Sequence, residues 1–375
     1  MQTYGAATIY DLLGDNLAYR RLQPLDERLP GSSLLRAQLG IPADLPLRKG
    51  DEAHARVVAA LMEAAQRLRA PGVPLRRLVL VGDTRMSDGG AFMALQDVTG
   101  WDGRAFIGSD GMDAPASTLV NDITFANRWR MLHEWAAALD GDDFRVDETT
   151  VALIDLDKAL LGARGRNDRL IDAARLRALT ASVADVLGDM FEPDEFEQIF
   201  RALNHGRFEP LTADNQDYVG YLCVIVAGHI LPLDYFTTLA QVGRLPRFTD
   251  VLPQVEAACA KTSWTSKQIK AFHHDIARLV AAGDPTPFKA FRRREYHETA
   301  KLMGTHGDDA LPEVLLREEL VLTAEIWQVA QAWLERGALL FGLSDKPDEA
   351  ALPTDADAAA GLLPLHRMTT HVLGE

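Results

Sequence analysis

The chain reads as an α/β protein: a three-layer sandwich around a mainly parallel, Rossmann-like sheet, with a large all-helical module inserted in it. Three observations predict this. Apolar, β-like runs end abruptly in polar groups at Val151 to Ile154, Ala338 to Leu343 and Leu78 to Val81. Helical periodicity alternates with those runs in the first 160 positions, the pattern of a sheet covered by helices. From Asp168 to about Glu335 the periodicity is almost wholly helical, too long for a simple crossover between two strands.

Taken in order, residues 1 to 48 carry Pro24, Pro30, Pro42 and Pro46 among apolar patches and read as an irregular lead-in with one short helix. Alanines, leucines and valines recur at helical spacing from Asp51 to Arg69, and Pro71, Gly72 and Pro74 stop that helix before a strand at Arg77 to Val81. Gly89 and Gly90 open a further helix, Arg104 to Gly108 is a short strand, and a helix is expected from Asn121 to Leu139, closed by Asp140, Gly141, Asp142 and Asp143. Prolines at 193, 210, 232, 253, 285 and 287 punctuate the helical stretch.

The chain has 375 residues, 47% hydrophobic and 25% charged, an ordinary balance for a soluble globular protein larger than one average domain. With 39 basic against 54 acidic residues the formal charge is −15, which argues against a nucleic acid or an anionic membrane as partner. The two cysteines, Cys223 and Cys259, form no CxxC pair and fit a reducing, cytoplasmic setting. The start of the chain lacks the basic and apolar pattern of a signal peptide. The apolar stretch Tyr221 to Leu231 is shorter than the ~20 residues a bilayer requires.

The strand ends hold the chemistry. Asp155 and Asp157 follow one apolar run, Ser344 another, and Asp83 and Asp88 a third, whose preceding helix opens just after Lys49. Two pairs of carboxylates, a hydroxyl and an amine are what a magnesium-dependent phosphoryl transfer through an aspartyl phosphate requires. Each piece also has a plainer reading. A lone DxD is an Asx turn ending a strand, Asp88 is a helix cap or a ligand acting through water, and a single serine or lysine is solvent decoration. Lys158 and Lys346 stand beside the motifs as alternative amines turned away from phosphate. No Walker loop, dinucleotide fingerprint or nucleophile elbow occurs.

Together these motifs resemble those of the haloacid dehalogenase superfamily. Glu325 to Pro347, a helix and strand leading into Ser344, looks like that family's second motif, and Asp155 to Asp157 like its first. Lys49 to His54 and Leu78 to Asp88 look like the third and fourth. Here those two precede the first, so the chain resembles a circularly permuted member. The C-terminal Met368 to Glu375 resembles the strand that leads into the motif lysine, and joining Glu375 to Lys49 restores the family order.

The resemblance implies a HAD-like core over 49–159 and 336–375, a helical cap over 160–335 and an N-terminal extension over 1–48. It implies Asp155 as nucleophile and Asp157 as general acid and base. Ser344 and Lys49 would bind phosphate, and Mg2+ would be held by Asp83, Asp88, Asp155 and the backbone carbonyl of Asp157. Ala159 departs from the family's usual Thr or Val there, at a position that mostly packs. Related enzymes have a mobile flap at Gly162 to Asp168, so Arg164, Arg166 and Asn167 are candidates for substrate contact, or solubilising loop residues.

In the insert, Arg292 to Arg294 with His297, and Thr212 to Tyr218, either select the leaving group or are solvated faces and caps. His273, His274, His297 and His306 read as scattered surface histidines. Trp327 and Trp333 read as packing between sheet and cap. The expected function is a phosphatase acting on a small phosphorylated metabolite. The alternative is a catalytically silent relative that uses its helical cap for docking.

Overall fold

Ten strands appear in the computed structural model, which describes residues 1–141, 144–261 and 266–375: β1 (Gln2–Ala7), β2 (Leu17–Ala18), β3 (Arg77–Gly82), β4 (Asp102–Gly108), β5 (Ser117–Val120), β6 (Ile123–Ala126), β7 (Thr150–Asp155), β8 (Leu322–Thr323), β9 (Leu339–Leu343) and β10 (Thr370–Gly374). Seven of them join in one sheet in the order β2-β9-β7-β3-β4-β6-β5. Every neighbouring pair is parallel except β5 and β6. All residues of β7 and β9 are buried, as strands must be when both faces are covered, and this is why they read as unbroken apolar runs.

Alternate side chains go to opposite layers. Leu78, Leu80, Leu153 and Phe341 share a core with Val58, Leu61 and Met62 of the helix Glu52–Arg69 and with Phe92 of the helix Ser87–Thr99. On the other face Phe106 meets the rings of Trp129 and Trp135 at 6.4 and 5.5 Å. Trp333, on the helix Ala324–Glu335, packs edge-on against Trp135 at 6.4 Å, so its partner is another helix of the sheet's own layer system. The fold is therefore α/β, with a mostly parallel sheet between helices.

The chain divides into two compact units, Met1–Ala173 with Thr299–Glu375, and Ala174–Glu298. All ten strands belong to the first. Residues 160–173 and 299–335 also lie in it, and hydrogen bonds explain why. Gly162 N donates to Val321 O at 2.9 Å, Thr323 N to Leu160 O at 2.9 Å, and the buried Asn167 amide spans Leu316 O, Glu319 O and Val321 N.

Four local expectations are corrected. Residues 1 to 48 are no irregular lead-in: β1 and β2 each join a sheet, helices form at Ile9–Leu13 and Ser32–Gln38, and Leu17 and Ala18 are fully buried beside β9. The expected helix at 121 to 139 is instead the hairpin strand β6 followed by a helix at Met131–Gly141. Asn121 takes a φ of +47°, the left-handed conformation asparagine tolerates, and so turns the chain. Asp142 and Asp143, expected to close that helix, lie outside the described residues.

The helix expected to open at Gly89 begins at Ser87. The C-terminal strand β10 forms, but in a separate three-stranded sheet with β1 and β8, where Gln2 pairs with Gly374. It does not lead to Lys49; residues 1–48 intervene as part of the fold.

The second unit is helical among its described residues. Phe196, Phe208, Tyr221, Val224, Phe236, Val251, Ile269 and Phe291 form its core. Two groups expected at the surface are buried. Arg292 donates to Asp217 at 2.7 Å through Nε and to Glu295 at 2.5 Å through a terminal nitrogen, and Arg175 also binds Glu295 at 2.9 Å. Burial opposes the Arg292 charge, yet Asp217 and Glu295 outweigh it and hold the guanidinium's pKa above its ordinary value. His273 is 2% exposed and lies between Tyr221 and Glu256.

Candidate functional site

Register builds the site. Asp155 pairs with Leu343 across β7 and β9, and Ile154 with Val81 across β7 and β3. Asp155, Ser344 and Asp83 consequently stand side by side at the carboxyl ends of three adjacent parallel strands, the edge where open α/β sheets bind ligands. Gly82 makes room for the fourth residue. A Cβ there would lie 2.5 Å from the Asp88 carboxyl carbon, so only glycine lets that carboxylate fold back under the strand end.

Asp88 uses its oxygens differently. Oδ2 accepts from the backbone nitrogens of Asp83 and Thr84 at 2.9 and 2.8 Å, tying the strand end to the helix start. Oδ1 accepts from Lys49 Nζ at 2.5 Å, and Lys49 also donates to Asp155 Oδ1 at 2.7 Å. Asp83, Asp88 and Asp155 each offer an oxygen, all within 4.8 Å of one another. Three hard anionic donors so close are of the kind that could hold a magnesium-like or calcium-like cation.

The electrostatics follow from that crowding. Burial, with Asp88 and Asp83 nearby, pushes Asp155 well above the usual carboxylate range despite Lys49. Burial and Asp88 push Asp83 up to about 7, against the pull of Arg164. For Asp88, burial is outweighed by Lys49 and the backbone donors, and its pKa falls. Burial likewise opposes the Lys49 charge, yet Asp155, Asp88 and Asp345 overcome it, so the ammonium is held well above its ordinary pKa. Two of these cationic groups, Lys49 and Arg164, face three carboxylates.

The remaining expected residues divide. Ser344 is buried, its Oγ accepting from Lys346 N at 3.1 Å and its own N–H donating to Ala18 O at 3.1 Å. Asp157 is outside the group of three, and its Oδ1 lies 3.3 Å from Lys346 Nζ. Lys346, with a side chain 5% exposed, faces Asp157. Lys158 binds both oxygens of Asp172 at 2.8 Å. Arg164 Nε donates to Asp83 Oδ2 at 2.5 Å.

Arg166 and Asn167 serve the scaffold. The Arg166 guanidinium is bidentate on Glu325 at 2.9 and 3.0 Å and also holds Asp110 at 2.7 Å, while the Asn167 amide is spent on backbone groups. Sequence reading missed the Lys346 and Asp157 pair and the neighbourhood of Tyr19, whose buried phenol is pushed up in pKa by burial and by Asp348 and Asp157. The proximity of Lys346 to a strand-end serine was the available signal for the first. The second had none.

No helix among the described residues is long and apolar enough to cross a membrane. No protein-family model matches the chain, and neither the curated proteins nor the solved structures offer a match.

Proposed function

We propose that this chain is a divalent-metal-dependent phosphatase, a circularly permuted relative of the haloacid dehalogenase hydrolases, acting on a small phosphate ester. The observation that carries the reading is the convergence of Lys49, Asp83, Asp88 and Asp155, from three separate segments, at the carboxyl ends of adjacent strands. The side-by-side pairing of β1 and β10 is consistent with a permutation, since linking them would return the motifs to the family order.

In this mechanism an Asp155 carboxylate oxygen attacks phosphorus, and the leaving oxygen takes a proton from Asp157 as the ester bond breaks. Asp157 then deprotonates water, which attacks the aspartyl phosphate and releases inorganic phosphate with Asp155 regenerated. Lys49 and Ser344 hold phosphoryl oxygens and balance charge as it shifts. Asp83, Asp88 and Asp155 are the residues that would hold magnesium, which when bound offsets the repulsion between carboxylate and phosphate.

The test is hydrolysis of an aryl phosphate and a metabolite phosphate panel with and without magnesium. Magnesium-dependent turnover that drops by on the order of 10⁴-fold or more in Asp155→Asn is expected for loss of a nucleophile. Failure of the parent protein across the whole panel would remove the phosphatase reading and favour a docking role.

A further inference from the structure

Arg164 is anchored more firmly than a solvent-facing loop residue requires. Its backbone N–H donates to Lys158 O at 2.7 Å, and its carbonyl accepts from Asp110 N at 2.9 Å and from Trp129 Nε1 at 3.2 Å. Gly165 follows with a φ of +78°, and a Cβ on it would lie 1.9 Å from Asp110 O, so the chain can approach there only as glycine. Arg166 then fixes the other side through Glu325 and Asp110. All of this aims one side chain at Asp83.

The contact it makes is single-pronged, Nε to Oδ2, and the side chain is 37% exposed while Asp83 is 6% exposed. A partly solvated pair of this kind is weak compared with a bidentate, buried one. Lys49, by contrast, is sunk between Asp88 and Asp155. The two cations thus divide the three carboxylates, and the more exposed of the two, Arg164, holds Asp83.

We propose that Arg164 is the exchangeable counter-ion of the carboxylate group: it holds Asp83 until a divalent cation takes that oxygen, and the two compete. This rests on the metal-dependent reading above. The competition has a signed consequence. Removing an arginine that serves only to hold its loop loosens the site and weakens binding, whereas removing one whose charge occupies the carboxylate tightens it.

The experiment is Mn2+ binding to the full chain, followed by electron paramagnetic resonance of the free ion, for the parent, Arg164→Met, Arg164→Lys and Asp83→Asn. Expected are binding by the parent, about tenfold tighter binding by Arg164→Met, the ratio that ~1.4 kcal/mol corresponds to, an affinity returned toward the parent's by Arg164→Lys, and loss of binding in Asp83→Asn. Unchanged or weaker binding in Arg164→Met, with the parent binding Mn2+, overturns the competition and leaves the phosphatase reading standing. A parent that binds no Mn2+ overturns both. Circular dichroism melts run on each variant identify an Arg164→Met protein that has not folded; Arg164→Ala then takes its place, with the same signs expected.

Discussion

Two buried charge clusters, one in each unit, differ in a single respect that separates a site from a staple. In the helical unit Arg175 and Arg292 meet Asp217 and Glu295, two positive groups against two negative. Beside the sheet Lys49 and Arg164 meet Asp83, Asp88 and Asp155, two against three. The balanced cluster satisfies its own desolvation demand and ties helices together. The unbalanced one has one more carboxylate than cations in a partly water-excluded place, a cost that a bound divalent cation would offset.

Asp217 is where the balanced cluster is most easily broken. Its carboxylate accepts from Arg292 and from the backbone nitrogen of Phe288 at 2.9 Å, all buried. Asp217→Asn leaves Arg292 and Arg175 sharing the one carboxylate of Glu295, an uncompensated positive charge, so a loss of about 3–5 kcal/mol is expected in urea unfolding. A loss below ~1 kcal/mol would mean the cluster is not the staple described.

Gly165→Ala tests the sheet-side cluster through its frame. The added methyl group meets Asp110 O in a left-handed backbone that alanine disfavours, for an expected cost of about 3 kcal/mol. The loop that carries Arg164 must shift, so Mn2+ affinity should change together with stability. If both stay at parental values, the loop is not held as described.

How much of this was visible in the amino-acid sequence depends on distance along the chain. The strand ends at Asp155, Ser344 and Asp83 were legible because an apolar run that stops at a polar group marks a buried strand reaching the sheet's edge. Lys49 was legible only through the family resemblance, since its partner Asp155 is 106 positions away. β2 was not legible: two residues carry no periodicity, and Leu17 and Ala18 are strand only because β9 lies beside them. Arg292 and Asp217 are 75 positions apart, and a polar residue on a helix looks solvated until its partner is found. Asn121 with Asp122 was a turn signal that the helical reading overrode.

Asp83→Asn should cost less than Asp217→Asn, because it relieves repulsion with Asp88 while losing one partly exposed ion pair. Its sign depends on pH. Asp83 has its pKa raised to about 7 in the folded protein against an ordinary 3.8, so the parent's stability from this group is full below ~4 and is lost as pH rises through 7. Asparagine cannot ionise, so the variant should gain on the parent from pH 5 to pH 8 in metal-free buffer. A variant that instead loses ground with rising pH would show that Asp83 is not crowded by its neighbours.

The smallest effect concerns a group that the balanced unit keeps neutral. His273 has Tyr221 Oη 2.7 Å from Nδ1 and Glu256 Oε2 3.0 Å from Nε2, and a neutral ring satisfies both, accepting from the phenol and donating to the carboxylate. Burial pulls its pKa below the ordinary histidine value, and Glu256 only partly offsets this. In the unfolded chain the ring takes up a proton near pH 6.5, so below that the unfolded state binds more protons and stability falls as pH drops. His54, held down to about 4 by burial and Lys49 against Asp345, and His366 slope the same way, so the parent alone does not isolate the effect. His273→Gln should therefore be unfolded in urea at pH 7.5 and 5.5 beside the parent. The expected result is a smaller acid loss in the variant, whatever its absolute stability. Equal losses would mean His273 is protonated in the folded unit as readily as in water, and that the Tyr221 and Glu256 contacts do not hold it neutral.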